Sequence, residues 1–330
     1  MKTSWAVEIA GMGSWTPPKV VTNDDLAARL DTSDEWITQR TGIRARHISA
    51  DGETTLHLAE KAAREALAAA DLTPADLDLI VVCTVTPEHT LPSTSCELQA
   101  ALGCGWIPAF DLVAACSGFV YGLTTAAQFI HAGTAKTVLV VGAETMTRVT
   151  DQDDRATAIL FGDAAGAAIL RPATQAGREI LAVNLGADGA RAKMIWTPAG
   201  GSCLPASDTT VAERLHHMRM SGREVYKFAV TQMQTVLSQT LADAGVATDD
   251  VTLLIPHQSN LRIIESACDK IGIPMDRVMV NIDRYGNTSA ASVPLAMCEA
   301  WRAGRIKRGD LVMMLGFGAG LTWGSALLRL

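Results

Sequence analysis

No apolar run in this chain of 330 residues approaches the roughly 18 residues of a membrane-spanning helix, which excludes a membrane protein of that kind. The opening Met1-Lys2-Thr3-Ser4-Trp5 likewise lacks the apolar core of a secretory leader. The seven cysteines contain no CxxC pair and, being odd in number, cannot all pair with one another. A disulfide framework is disfavoured, and free thiols in a reducing compartment are expected. Excess positive charge is also missing: the net charge of -7 argues against a general nucleic-acid binder and leaves room only for local basic patches. What remains is a soluble, cytoplasmic protein with no membrane and no nucleic-acid partner. Its 48% hydrophobic and 19% charged residues suit a large core, in two domains or one large α/β unit.

Taken in order, the chain alternates strands with helices. Residues 6–11 predict an opening strand, which Gly11, Gly13 and the Pro17-Pro18 turn should end. Gly11-Met12-Gly13 lacks the third glycine of a dinucleotide loop, and the prolines delay any helix, so that reading is set aside. Residues 33–44 gather Trp36 with several arginines, either as a solvated helix with Trp36 on its flank or as a nucleotide or phosphate site. Helices are expected at 55–70 and 93–102, and buried strands at 77–84, 110–113, 137–143 and 162–170. This alternation predicts a mainly parallel sheet covered on both faces. Residues 172–217 turn to Gly, Ala, Ser, Thr and Pro and are expected to form a long connection. Cys203, His216 and His217 within it match no common zinc spacing.

The second part repeats the first. A helix at 225–244, a strand at 250–255, a helix at 261–271, a strand starting at 278–280, a helix at 290–303 and strands at 310–315 and 324–328 echo the earlier order. Two βαβαβαββ copies predict residues 1–172 and 173–330 as paired halves, layered α-β-α-β-α with pseudo-twofold symmetry.

Chemistry gathers at the strand ends. In Ala114-Ala115-Cys116-Ser117-Gly118-Phe119, small residues surround one thiol where strand turns to helix. Unpaired N–H groups and the helix dipole there should favour a thiolate. Pro256-His257-Gln258-Ser259-Asn260 closes another strand. Tyr285-Gly286-Asn287-Thr288-Ser289 mirrors the cysteine turn, so Asn287 is expected to face Cys116 as its echo. Gly316-Phe317-Gly318-Ala319-Gly320 can bring backbone N–H groups near a reacting oxygen. Taken singly, these are also a packed cysteine, a structural histidine, a helix cap and a tight turn. Together, Cys, His and Asn suit acyl-thioester chemistry, with a thiolate attacking and two donors holding a carbonyl as it gains charge.

Four motifs carry a resemblance. Ala-Ala-Cys-Ser-Gly-Phe at 114–119, Pro-His-Gln-Ser-Asn-Leu-Arg at 256–262, Tyr-Gly-Asn-Thr-Ser-Ala-Ala-Ser-Val-Pro at 285–294 and Gly-Phe-Gly-Ala-Gly-Leu-Thr-Trp-Gly at 316–324 make the chain, from Trp36 to Trp323, similar to the thiolase-fold condensing enzymes, most closely the β-ketoacyl-acyl-carrier-protein synthase III family. The resemblance implies Cys116 as nucleophile in a triad with His257 and Asn287. An acyl group passes from coenzyme A to the cysteine; malonyl-acyl-carrier protein then loses carbon dioxide, and its enolate attacks the acyl-cysteine. It further implies an oxyanion hole from the N–H groups of Cys116 and Ala319, with Phe317 beside the thiol as a gate. Where some members carry Gly, Ala319 keeps the donor but narrows the pocket.

Coenzyme A contacts implied in the same way are Trp36 and Arg155 around the adenine, with Arg40, Arg223 and Asn260 near the phosphates and pantetheine arm. Leu91 and Tyr226 fall at positions that shape the acyl pocket, and Lys227 and Arg262 would attract an acidic carrier protein. No tightly bound cofactor and no metal is expected, since acyl-coenzyme A and malonyl-acyl-carrier protein are substrates, and the active form is expected to be a homodimer. Three rivals stand beside this: a pathway-specific relative using another acceptor, a cysteine hydrolase, and a scaffold, which should have lost Cys116 or His257.

Overall fold

The computed structural model describes residues 5–330. Its first sheet is built from β1 (Val7–Trp15), β2 (Leu79–Cys83), β3 (Ala109–Leu112), β4 (Val138–Thr145) and β5 (Asp163–Pro172), in the order β1-β5-β4-β2-β3. The second contains β6 (Glu179–Ala187), β7 (Leu253–Pro256), β8 (Leu311–Gly318) and β9 (Thr322–Arg329), in the order β7-β8-β9-β6. Six longer helices accompany them: α1 (Thr55–Ala69), α2 (Thr94–Leu102), α3 (Gly118–His131), α4 (Gly222–Ala244), α5 (Leu261–Ile271) and α6 (Ser292–Arg302). Helices α3 and α6 pack on both sheets and fill the space between them; α1 and α2 cover the outer face of the first sheet, α4 and α5 that of the second. The expected five layers follow. All of β4 is buried, which is why its sequence is a continuous apolar run rather than an alternating one.

Several expectations need correction. Neither sheet is mainly parallel: β2 runs parallel to β3 and β4, but β5 is antiparallel to both β1 and β4. In the second sheet only β7 and β8 are parallel. The closing strand of each half returns directly beside its neighbour, which requires reversal rather than a crossover. The opening strand does not stop at its glycines but continues to Trp15. A Cβ at Gly13 would sit 2.2 Å from the carbonyl oxygen of Ala62 on α1, so glycine there permits helix and strand to touch, not to part. The stretch at 172–217 is not merely a connection either, because it contains β6, the edge strand of the second sheet. The strand expected at 278–280 shrinks to one parallel bridge, Leu254 with Val278. That bridge nevertheless lies where β3 lies beside β2, so the repeat of strand order is complete.

The two halves also repeat a backbone bend. Ala115 (φ 47°) opens the short turn Ala115–Ser117 ahead of α3, and Ser289 (φ 48°) opens Ser289–Ala291 ahead of α6. Non-glycine residues seldom take a left-handed conformation. Matching the bends pairs Cys116 with Ala290, so Asn287 is not the echo of Cys116; it stands three residues earlier on its turn.

Candidate active site

Cys116 owes its position to that bend. Strand β3 ends at Leu112, Ala115 reverses the chain, and α3 begins at Gly118. The end of β8 closes over it: a Cβ at Gly318 would lie 2.5 Å from the Cys116 amide nitrogen. Only glycine allows so close an approach. The first N–H groups of a helical turn have no acceptor within it, and the Cys116 amide is one of these.

The sulfur opens on a cavity of about 360 Å³ that Cys116 lines with His257, Asn287, Phe317 and Ala319. Its thiol donates to Ser289 Oγ at 3.4 Å. Burial pushes the thiol up to about 12, helped by the nearby Glu144 carboxyl, while the Ser289 contact and the cysteine's own N–H pull the other way. The helix start therefore does not make a resting thiolate, contrary to the expectation from dipole alone. Desolvation outweighs it.

His257 is buried at the end of β7, where its own N–H donates to Leu315 O at 2.7 Å. Burial lowers its imidazole to about 3, so it is neutral near pH 7. Ser292 Oγ stands 2.6 Å from His257 Nδ1 and accepts from the Gln258 amide at 3.3 Å. A hydrogen donated from the Ser292 hydroxyl to Nδ1 would leave the ring's own hydrogen on Nε2. Asn287 Oδ1 accepts from the Ser289 amide at 2.9 Å, which fixes the side chain and leaves its NH₂ as a donor for the cavity. Phe317 meets the His257 ring edge to face, centroids 5.6 Å apart. The cavity thus presents one thiol and two neutral donors within largely apolar walls that include Val85, Met146 and Phe161.

The remaining expected residues fall into three places. Tyr226 and Asn260 line the cavity. Tyr226 shares a hydrogen bond with Ser266 (3.0 Å), and Asn260 caps α5 while its amide donates to Arg40 O at 3.0 Å. Trp36, Arg40 and Arg155 form a surface cluster, with the guanidinium of Arg155 4.9 Å and that of Arg40 5.6 Å from the centre of the Trp36 ring. Trp36 and Arg155 touch instead of standing apart, so a ring entering between them must displace Arg155 from its bond to Asp31 O. Arg223, Lys227 and Arg262 are exposed, the first two on α4 and the third on α5. Leu91, at 87% exposed, does not line the cavity of its own chain.

Sequence reasoning missed the groups behind the site. Ser289, Ser292 and Glu144 are all buried and polar. Ser289 and Ser292 stand inside the Asn-Thr-Ser-Ala-Ala-Ser motif, and Glu144 is the one charge closing the apolar 137–143 run, a signal that burial of a carboxyl makes notable. Among the described residues no group of three or more His, Cys, Asp or Glu side chains is placed to hold a metal.

Known proteins match this chain over nearly its whole length. Family models described as 3-oxoacyl-[acyl-carrier-protein (ACP)] synthase III and its C terminal match residues 110–189 and 241–330. The beta-ketoacyl-[acyl-carrier-protein] synthase III of Symbiobacterium thermophilum is 50% identical over 98% of each chain, and that of Xanthomonas campestris is 52% identical over 97% of each. The crystal structure of 3-oxoacyl-[acyl-carrier-protein] synthase III from Aquifex aeolicus superposes with a TM-score of 0.91 at 45% identity, covering 98% of this chain and 100% of that one. The priming β-ketosynthase of the R1128 polyketide pathway gives 0.89 at 36% identity, covering 99% and 97%.

Proposed function

Because the chain belongs to the 3-oxoacyl-[acyl-carrier-protein] synthase III family, we propose that its cavity runs a two-step condensation through an acyl group held on Cys116. The protein is an acyltransferase of the condensing kind, joining an acyl-coenzyme A to malonyl-acyl-carrier protein at the start of fatty-acid synthesis. The observation that carries the assignment of residues is that one apolar cavity is lined by a thiol from the first half and by His257, Asn287 and Ala319 from the second.

In the first step the Cys116 sulfur attacks the thioester carbonyl, and the N–H groups of Cys116 and Ala319 receive the charge that gathers on its oxygen. Coenzyme A leaves. In the second step the malonyl thioester oxygen lies against His257 Nε2 and the Asn287 amide, and loss of carbon dioxide leaves an enolate there. A neutral histidine suits this task, since it donates without giving up its proton, and Ser292 keeps the donor on the correct nitrogen. The enolate carbon then attacks the acyl-cysteine, and the 3-oxoacyl chain departs on the carrier protein. Phe317 screens the reacting carbons from water, and the apolar walls strengthen each hydrogen bond.

At the cavity mouth, Trp36 and Arg155 take the adenine of coenzyme A, with Arg40, Arg223 and Asn260 along its phosphates and arm. Lys227 and Arg262 meet the acidic carrier protein, and Tyr226 shapes the wall facing the acyl group. On this reading residues 1–172 supply the acyl carrier and 173–330 the donors, no tightly bound cofactor takes part, and the enzyme works as a cytoplasmic homodimer. No helix among the described residues is long and apolar enough to cross a membrane.

The test is incubation with a panel of acyl-coenzyme A primers followed by peptide mass analysis. One acyl mass on the Cys116 peptide, absent in Cys116→Ala, supports the reading; an unlabelled Cys116 across the whole panel overturns it.

A further inference from the structure

Behind Cys116 runs a line of polar groups that the condensation described above leaves unused. The thiol donates to Ser289 Oγ at 3.4 Å, and that hydroxyl donates to Glu144 Oε1 at 3.0 Å. Glu144 is buried at the end of β4, where it accepts from Thr86 Oγ1 at 2.6 Å, Thr84 Oγ1 at 3.1 Å and the Val85 amide at 3.1 Å. It makes no salt bridge among the described residues. A carboxyl buried with hydroxyl and amide donors but no cation is costly to keep ionised.

The fold itself does not ask for it. Gly142 pairs with Gly166 in the first sheet as Gly316 pairs with Gly324 in the second, and each of Gly142 and Gly316 packs on the opposite half's bend. Two residues further on, the first half has Glu144 and the second has Gly318. The same architecture therefore stands with a glycine at this position, and the carboxyl requires a separate reason.

We propose that Glu144 is a positioning residue that takes up the Cys116 proton through the Ser289 hydroxyl during acyl transfer. The thiol proton passes to Ser289 Oγ as the Ser289 hydroxyl proton passes to Glu144 Oε1, giving a thiolate and a carboxylic acid. The sulfur forms its bond to the acyl carbon, the bond from that carbon to the coenzyme A sulfur breaks, and the departing sulfur takes the proton back along the same hydroxyl. One negative charge stays in the buried site throughout. Two would repel at short range in a low dielectric.

The electrostatics agree with a shared charge. Burial holds the Glu144 carboxyl up at about 7, and Glu144 in turn raises the Cys116 thiol. The other titratable group facing Glu144 is Cys83 on β2, whose thiol burial pushes well above its usual range, so it stays protonated. Thr84, Thr86 and Ser289 carry no charge, and His257 in the same cavity is neutral.

This inference rests on Cys116 being the acylated nucleophile. The experiment is single-turnover acylation of Cys116 by acetyl-coenzyme A, followed by intact mass from pH 6 to 9, in the full-length wild type, Glu144→Gln, Glu144→Asp and Ser289→Ala. Malonyl decarboxylation is measured separately on each protein. Expected is a loss of roughly tenfold or more in acylation for Glu144→Gln and Ser289→Ala, partial recovery in Glu144→Asp, and little change in decarboxylation. The wild-type rate should rise with pH through the carboxyl titration, and Glu144→Gln should lack that rise. Ser289→Ala breaks the line while keeping the other donors to Glu144, so it decides the matter if Glu144→Gln does not fold. Wild-type acylation rates and pH profiles in the variants overturn the proposal, as do equal losses in both half-reactions. Failure of the wild type to acylate at Cys116 instead overturns the nucleophile assignment itself.

Discussion

The Ser292 hydroxyl lies 2.6 Å from His257 Nδ1, so a hydrogen donated from that hydroxyl places the ring's own hydrogen on Nε2. Because the ring is neutral, only one of its nitrogens can donate, and only Nε2 serves the cavity. Ser292→Ala removes the partner without touching the ring. It should slow malonyl decarboxylation by about tenfold while leaving transfer of the acyl group to Cys116 close to normal. Separate assays of the two half-reactions check this; unchanged decarboxylation would mean that Ser292 serves only the Gln258 amide.

Glu144 also links stability to pH. Its folded value, about 7, lies above the ordinary 4.5, so the folded state binds the proton more tightly than the unfolded chain. The associated stability is complete below 4.5 and is lost as pH rises through 7. Glu144→Gln has no such loss. Relative to the wild type it should therefore gain on the order of 3 kcal/mol between pH 4.5 and 8, whatever constant offset the amide introduces. Urea unfolding of both proteins at several pH values measures it. A difference that does not vary with pH would show an ionised carboxyl throughout.

Gly318 should tolerate nothing larger. A Cβ there meets the Cys116 amide nitrogen at 2.5 Å and the Ala115 Cβ at 3.0 Å, so the backbone of the bend would have to shift. Gly318→Ala is expected to cost about 1–3 kcal/mol of stability by overpacking. It should also lower acylation at least tenfold by prising apart the two N–H groups assigned to the oxyanion. Thermal unfolding and acylation rate together test it, and normal acylation in a destabilised protein would remove those N–H groups from the mechanism.

Trp36 lies on the surface, on the helix Asp34–Thr41, and its partners are arginines. Trp36→Ala should raise KM for acetyl-coenzyme A about tenfold through lost stacking and cation–π contact. With acetyl-pantetheine, which has no adenine, the same variant should match the wild type. A KM change of the same size with both donors would place the effect in the fold and not in adenine binding.

Much of the fold could be read from the order of residues because buried strands such as β4 announce themselves as apolar runs and Gly103, Gly245 and Gly272 end their helices in the left-handed conformation. The direction of strands could not. Nothing local distinguishes β5, which returns antiparallel, from a strand reached by a crossover. Gly11 and Gly13 misled for a related reason: glycine marks both a chain end and a close approach, and only the position of α1 separates the two. In the site, Cys116, His257 and Asn287 stood out because their motifs are local. Ser289 and Glu144 lie 145 residues apart, and their hydrogen bond exists only once the halves have packed. Cys116 itself was misjudged in charge, since dipoles are visible in a helix start while desolvation depends on everything else around it.

The left-handed bends at Ala115 and Ser289 press against each other in the middle of the molecule, each ahead of a helix that starts there. Such a helix start is moored by its neighbours rather than by solvent or a free loop. The site is thus a property of the seam between the halves. On the proposed mechanism, residues before the seam would hold an acyl group with nothing to receive an enolate, and residues after it would receive an enolate with nothing to condense it on. Substitutions that loosen the seam belong with active-site substitutions, however far they stand from the sulfur.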